Sequence, residues 1–302
     1  MGIHKVSNVV TAYLDNDDSP DIENPIHSTE IARAYGYDGP LIGGVTVWGW
    51  ATDTIIEAIG KNWLSEGWAE YSFRKPVFPG NVLTITVEPN TENFINSWNV
   101  MMQSQSGDTC VEGKIGLGQI NWAGRLNRPK NMSPANVTEK PPLTLDRASN
   151  KTSWTALKLE FDEHIYEEIN YKNRLTFNPI FDHSSEVKPI AHPSWIAGWA
   201  EALLRHNFDI PSSMHTKSLV QHYSSVPLGT TIVGGAEVID AYERKGHHYV
   251  EFDVLLQNTD GKDIAQIRHR TIFRIATASE RTDSYPQPTY PYQVSLKTKE
   301  NN

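Results

Sequence analysis

Within the stretch Asp21-Ile22-Glu23-Asn24-Pro25-Ile26-His27 the chain sets two carboxylates, an amide and an imidazole, and Gly39-Pro40-Leu41-Ile42-Gly43-Gly44 follows closely. Carboxylates and imidazoles are the side chains that most often move protons near neutral pH. A helix that begins at paired glycines offers unbonded N–H groups to an oxyanion and lets a ligand approach its backbone. Together these residues suit acid–base chemistry beside a carbonyl group. Some of them also have a plainer reading. Asn24 followed by Pro25 is ordinary helix-start chemistry, the amide capping and the proline taking the first position. Asp15, Asp17 and Asp18 show that carboxylates are frequent in this loop.

Positioning these groups requires a helix and something to wrap it. A short polar-headed helix is expected over Ser28 to Ala34. From Val45 to Ile59 the residues Val45, Val47, Trp48, Trp50, Ala51, Ile55, Ile56, Ala58 and Ile59 leave few polar positions. A helix apolar nearly all round must be enclosed, and a sheet is the expected enclosure. Strand-like runs follow at 68–77, 82–87, 94–102 and 109–120, after a first strand at 6–14, with period-two alternation in Ala69, Tyr71, Phe73 and in Leu83, Ile85, Val87. One strand, a helix and then an antiparallel set is α+β order.

The pattern then repeats. Pro189 lies 149 residues after Pro40, and the same interval separates Gly198-Trp199-Ala200 from Gly49-Trp50-Ala51, Val226 from Val77, and Gly229 from Gly80. A constant offset across six positions points to an internal duplication. The expected units are residues 1–125 and 153–278, separated by a proline-rich linker at 126–152 and followed by a polar tail at 279–302. In the second unit a helix is expected over 195–204, with strands at 219–226, 231–241, 248–256 and 264–275. The second unit lacks Asn-Pro-x-His: Asn178-Pro179-Ile180-Phe181 ends in phenylalanine, while Pro189-Ile190-Ala191-His192 precedes its helix.

Composition narrows the function classes. The chain of 302 residues is 38% hydrophobic with nine Trp, enough for real cores, and its net charge of −9 argues against nucleic acid as a partner. The single cysteine, Cys110, excludes an internal disulfide. No secretory h-region opens the chain and no apolar run reaches membrane-spanning length, so a cytoplasmic setting without membrane contact is expected. Dinucleotide, P-loop, nucleophile-elbow and His-x-x-x-His patterns do not occur, so no metal or redox cofactor is expected.

Asn24-Pro25-Ile26-His27, with Gly44 at the helix start, resembles the motif of the MaoC-like hotdog-fold family, the (R)-specific enoyl-thioester hydratases and 3-hydroxyacyl-thioester dehydratases. That motif reads Asp-x-Asn-Pro-hydrophobic-His, followed by His-Gly at the central helix. Here Ile22 stands at the acid's position, with Asp21 one residue early and Glu23 one late, and Gly43 replaces the histidine of His-Gly. The resemblance, with the duplication, implies a double hotdog: two antiparallel sheets, each wrapped around a long central helix, joined edge to edge as a pseudo-dimer. Adding water across a double bond conjugated to a thioester needs a group to deprotonate the water, a proton for the α-carbon, and donors for the enolate-like oxygen. The resemblance assigns Asp21 and His27 to the water, Asn24 to the motif, and the Gly44 N–H to the oxygen. Gly43, Val45, Trp48, Thr52 and His192 are the expected pocket residues, Thr52 as a hydroxyl one turn along the helix from Trp48, although Trp48 also reads as core and His192 as structural. The implied substrate is an acyl thioester, with coenzyme A ahead of acyl carrier protein, and pairing of whole chains into a homodimer is compatible with this plan. The competing readings are an acyl- or small-ligand-binding module, and an enzyme in which His27 acts alone in isomerisation, lyase or cyclisation chemistry.

Overall fold

The structure, a computed structural model, describes residues 5–14, 24–91, 97–150, 153–172, 174–176, 178–183 and 188–283. The first half runs from strand β1 (Val6–Thr11) through helices α1 (Thr29–Ala34), α2 (Gly44–Gly49), α3 (Thr52–Ile59) and α4 (Trp63–Glu66) to strands β2 (Gly67–Phe73), β3 (Val82–Pro89), β4 (Ser97–Ser104) and β5 (Thr109–Leu117). After α5 (Leu145–Ser149) the second half has β6 (Leu157–Glu160), α6 (Glu163–Tyr166), α7 (Pro193–Asn207), β7 (Met214–His222), β8 (Thr231–Arg244), β9 (His247–Asn258), β10 (Asp263–Arg274) and α8 (Ala278–Asp283). All ten strands form one antiparallel sheet in the order β1-β3-β4-β5-β2-β7-β10-β9-β8-β6.

That order reads alike from both edges, and the register shows why. At the seam β2 pairs with β7, Trp68 facing Gln221, Glu70 facing Leu219 and Ser72 facing Lys217. Glu70 and Leu219 are themselves 149 residues apart, so a pseudo-twofold axis passes between them. The same interval relates hydrogen bonds: Ile42 N to Val77 O (3.0 Å) corresponds to Ala191 N to Val226 O (2.7 Å), and Gly80 N to Ala12 O (2.9 Å) to Gly229 N to Phe161 O (2.7 Å). Gly80 and Gly229 turn with φ of 84° and 85°, a left-handed conformation that side chains disfavour, so glycine is retained at both. Trp50 and Trp199 are both buried in the apolar core.

The halves differ in their central helices. The helix expected over 45–59 is interrupted: Ala51 N bonds to Trp48 O (3.0 Å), a three-residue closure between α2 and α3. Its counterpart α7 is continuous over 15 residues. β7 begins five residues before the expected start at 219, at Met214. The stretch expected as a linker is a strap along the second half. Asn127 N donates to Asp253 Oδ2 (2.6 Å), Ala135 N to Ala156 O (3.3 Å) and Leu143 N to Asp209 O (3.4 Å). Arg128 grips Asp263 through both terminal guanidinium nitrogens (2.7 and 2.9 Å). At the start of the expected tail, α8 folds back on the first half, Arg281 donating to the Tyr35 carbonyl. Among the described residues no helix is long and apolar enough to cross a membrane.

Asp253 carries much of the strap's attachment. Fully buried on β9, it accepts from Arg268 Nε (2.7 Å) and Nη2 (2.8 Å) on β10 as well as from Asn127 N. Removing one partner of such a pair strands the other in a partly dry setting. Asp253→Ala should therefore destabilise the fold by about 3 kcal/mol in urea unfolding, and a loss below about 1 kcal/mol would contradict this account.

Candidate active site

The motif folds as its residue types dictate. Asn24 caps a 3₁₀ turn, Pro25–His27, its side-chain oxygen accepting from Ile26 N (3.5 Å), with Pro25 in the first position. Its amide nitrogen reaches across to the second half, donating to the Ser213 carbonyl (3.0 Å) and lying 3.3 Å from Ser213 Oγ, while Ser213 N returns a bond to Asn24 Oδ1 (3.3 Å). Ser213 is held in turn by Arg205 Nη2 (2.9 Å) and by Glu201, to which its hydroxyl donates. Glu201 also accepts from Arg205 Nε (2.9 Å). Asn24 thus acts as a strut between the motif and α7.

His27 is placed by the segment before α2. Its Nδ1 lies 2.5 Å from the Leu41 carbonyl, which can only accept, so Nδ1 carries the proton and Nε2 has a free lone pair. Burial lowers its pKa, opposed by the Leu41 hydrogen bond and the charge of Glu201, while Arg205 lowers it further. A β-carbon at Gly43 would meet His27 Cε1 at 3.6 Å and Nε2 at 3.7 Å, so the imidazole faces the helix start directly. Gly43 supplies no side-chain cap, leaving the first N–H groups of α2 unbonded within the helix. Gly44 is a position of close approach: a β-carbon there would lie 3.0 Å from Phe73 Cζ and from His215 Cβ, and 3.1 Å from His215 Nδ1.

These groups open on a cavity of about 780 Å³ lined by both halves: Asn24, His27, Leu41, Gly43, Gly44, Val45, Phe73, Arg74 and Lys75 from the first, and Glu201, Arg205, Ser213, His215, Thr216 and His269 from the second. Of the residues expected from sequence, Asn24, His27, Gly43, Gly44 and Val45 meet here. Trp48 is buried away from the cavity wall, stacked on Tyr71 at 4.0 Å, and Thr52 is buried in α3. Asp21, like Ile22 and Glu23, lies outside the described residues.

His192 occupies the position of Gly43, 149 residues on, and does what Gly43 cannot: its Nδ1 caps α7, accepting from Ser194 N (3.2 Å) and lying 2.8 Å from Ser194 Oγ. Phe181 packs on it at 4.9 Å, from a 3₁₀ turn that Asn178 caps as Asn24 caps the first. The second helix start is therefore closed by its own residues and the first is open. Sequence reasoning missed His215, Ser218 and His269, three polar side chains on the cavity side of β7 and β10. The available signal was phase, because His269 shares the inward alternation of Ala265, Ile267 and Phe273.

Two helix-bearing half-units sharing one sheet about a pseudo-dyad are a double hotdog. A protein described as a MaoC domain dehydratase, from Chloroflexus aurantiacus J-10-fl, has a similar structure (TM-score 0.59, 12% identity, 90% of this chain and 95% of that one). So does a MaoC-like dehydratase (0.56, 12% identity, 90% and 98%). A conserved hypothetical protein of Mycobacterium tuberculosis with a double hotdog fold aligns over 83% of this chain and 86% of its own (0.55, 11% identity). No family model matches the sequence, and no curated protein matches it. At these identities the likeness establishes the fold alone, a double hotdog.

Three buried imidazoles and a fourth, partly buried one make the fold acid-sensitive. Burial pulls His192 and His269 to about 3, His222 to about 4, and His215, beside His269, well below the ordinary value of 6.5. The unfolded chain binds protons at these sites below about pH 6.5 and the folded chain does not, so stability falls as pH drops through that window. Each group contributes a slope on the order of 1.4 kcal/mol per pH unit. The urea midpoint should fall steeply from pH 6.5 towards pH 4, and a flat profile would contradict neutral burial. Gly44→Ala should displace His215 or α2 and weaken ligand binding at least tenfold by titration calorimetry, with about 1 kcal/mol lost in stability.

Proposed function

We propose that the protein catalyses reversible hydration of an enoyl thioester to a 3-hydroxyacyl thioester. What carries this reading is the uncapped helix start at Gly43–Gly44 with the neutral, acceptor-bearing face of His27 beside it, in one half only. A thioester carbonyl set against the Gly44 N–H polarises the double bond and receives the negative charge as water adds at the β-carbon. His27 Nε2 takes a proton from that water and returns one to the α-carbon, with Asp21 sharing the grip on the water as the motif resemblance assigns. The atoms balance: water is divided between the two carbons and the enolate collapses to the thioester. Burial lowers the His27 pKa, so the imidazole is unprotonated at neutral pH and its Nε2 is free to accept a proton. Lys75 in the cavity wall, beside an Arg74 already paired with Glu112, favours an anionic carrier, and coenzyme A is the form proposed, with acyl carrier protein second. The (R) configuration follows from the same resemblance.

Incubation with crotonyl-CoA should remove the enoyl absorbance without releasing thiol. Thiol release would reassign the protein to thioester hydrolysis. Neither change, with the ligand bound, would make it an acyl-binding module. His27→Ala and Asp21→Asn should each lower kcat by roughly 10²–10⁴-fold, the double variant being little worse than either single, and Glu23→Gln should be mild. A severe His27→Ala beside an Asp21→Asn loss under about tenfold would point to a lone-histidine isomerase, lyase or cyclase instead.

A further inference from the structure

The wall of the cavity on the second half's sheet holds a cluster that the reaction above does not use. His215 Nε2 lies 2.7 Å from Ser218 Oγ, and the same oxygen lies 3.1 Å from His269 Nδ1. The two rings are 4.1 Å apart. His215 and His269 both form part of the cavity wall, and His269 is 1% exposed. Each ring leaves one buried nitrogen, His215 Nδ1 and His269 Nε2, without a hydrogen-bond partner. Buried polar atoms left this way cost about 1–3 kcal/mol each, so two at one cavity wall are an arrangement that a ligand would stabilise.

The number of protons decides what that ligand offers. Burial keeps both imidazoles uncharged, so each ring has one N–H. The Tyr71 hydroxyl also meets Ser218 and has no other partner, so it donates to the serine oxygen, and the single Ser218 proton is left for one of the two rings. If it goes to His215 Nε2, the His215 proton sits on Nδ1, and His269 donates from Nδ1 to the serine, leaving Nε2 as an acceptor. If it goes to His269 Nδ1, the roles reverse. In either case the cluster presents one N–H donor and one bare acceptor. A carboxylate finds no positive charge there, and a ketone satisfies only the donor. A hydroxyl supplies both a donor and an acceptor from one atom. Among the described residues no group of three metal-ligating side chains occurs.

We infer that His215, Ser218 and His269 form a subsite that recognises a neutral hydroxyl group on the ligand. On the hydratase reading, on which the acyl assignment alone rests, this subsite favours hydroxylated acyl thioesters over their keto and carboxylated counterparts. His215 also packs on Gly44, so an occupant of the subsite lies next to whatever binds at the helix start.

The test uses the full chain labelled with ¹⁵N-histidine and the small probes 2-heptanol, 2-heptanone and heptanoate, with calorimetry on the matched hydroxy-, keto- and carboxyacyl-CoA compounds. The alcohol should shift the ring nitrogens of both His215 and His269 and bind about tenfold tighter than the ketone, the equivalent of one hydrogen bond. His269→Phe should abolish the preference. Should that variant fail to fold, Ser218→Ala, which breaks the proton coupling while emptying little volume, should remove most of it. Equal binding of alcohol and ketone, unmoved ring nitrogens, or a preference that survives Ser218→Ala would overturn the inference. The two readings separate cleanly. Turnover of crotonyl-CoA without alcohol preference removes the subsite and leaves the hydratase. Alcohol preference without turnover or thioester binding does the reverse.

Discussion

The pairing of β2 with β7 is the contact on which the cavity depends. It joins five strands to five, and without it both would be open edges in the middle of the molecule. Side chains reinforce the seam: Lys217 Nζ meets Glu70 at 2.7 Å, and the buried amide of Gln221 donates to the carbonyls of Gly67 and Gly118 while accepting from Ile120 N. A buried amide satisfied on this many sides specifies register, because a one-residue slip would orphan it and turn every side chain to the other face. The register brings His215 of one half against Gly44 of the other, and Asn24 against Ser213.

Around that seam the halves keep the same backbone and differ in a few side chains. At one helix start stand His27 and Gly43; at the other, Phe181 and His192. The exchange moves the imidazole from beside the helix N-terminus to its cap. As a cap, His192 satisfies Ser194 N and removes the donors a ligand would need. Beside the N-terminus, His27 leaves those donors bare and keeps Nε2 as an open acceptor.

The duplication was legible because spacing survives divergence: the 149-residue interval holds in the pairing of β1 with β3 and of β6 with β8, in the seam and in the hydrogen bonds around them, and shifts by five residues only in the later strands. The interruption at Trp50-Ala51 was not legible, since tightening from four- to three-residue closure changes no side-chain pattern, and Gly198-Trp199-Ala200 runs unbroken in α7. The strap read as linker because its contacts are backbone bonds and single anchors such as Arg128 to Asp263, which carry no periodicity. In the site, the Asn24–His27 turn and the glycine pair follow from local chemistry. His215 and His269 escaped notice because polar residues on strands ordinarily face water, whereas β7 and β10 lie in the interior of the sheet, with Ser218 and Gln221 fully buried.

The covalent joining of the two half-units has a consequence for what evolution could do at the helix starts. In a symmetric pair of separate half-length chains, any residue placed at one helix start stands at the other as well. A glycine that opens one pocket opens both, and a histidine that caps one caps both. Once the halves share a chain, positions 43 and 192 are separate letters. One face can then be surrendered to stability and to shaping the common cavity, while its twin stays open, and a substitution tolerated in one half carries no obligation for the other.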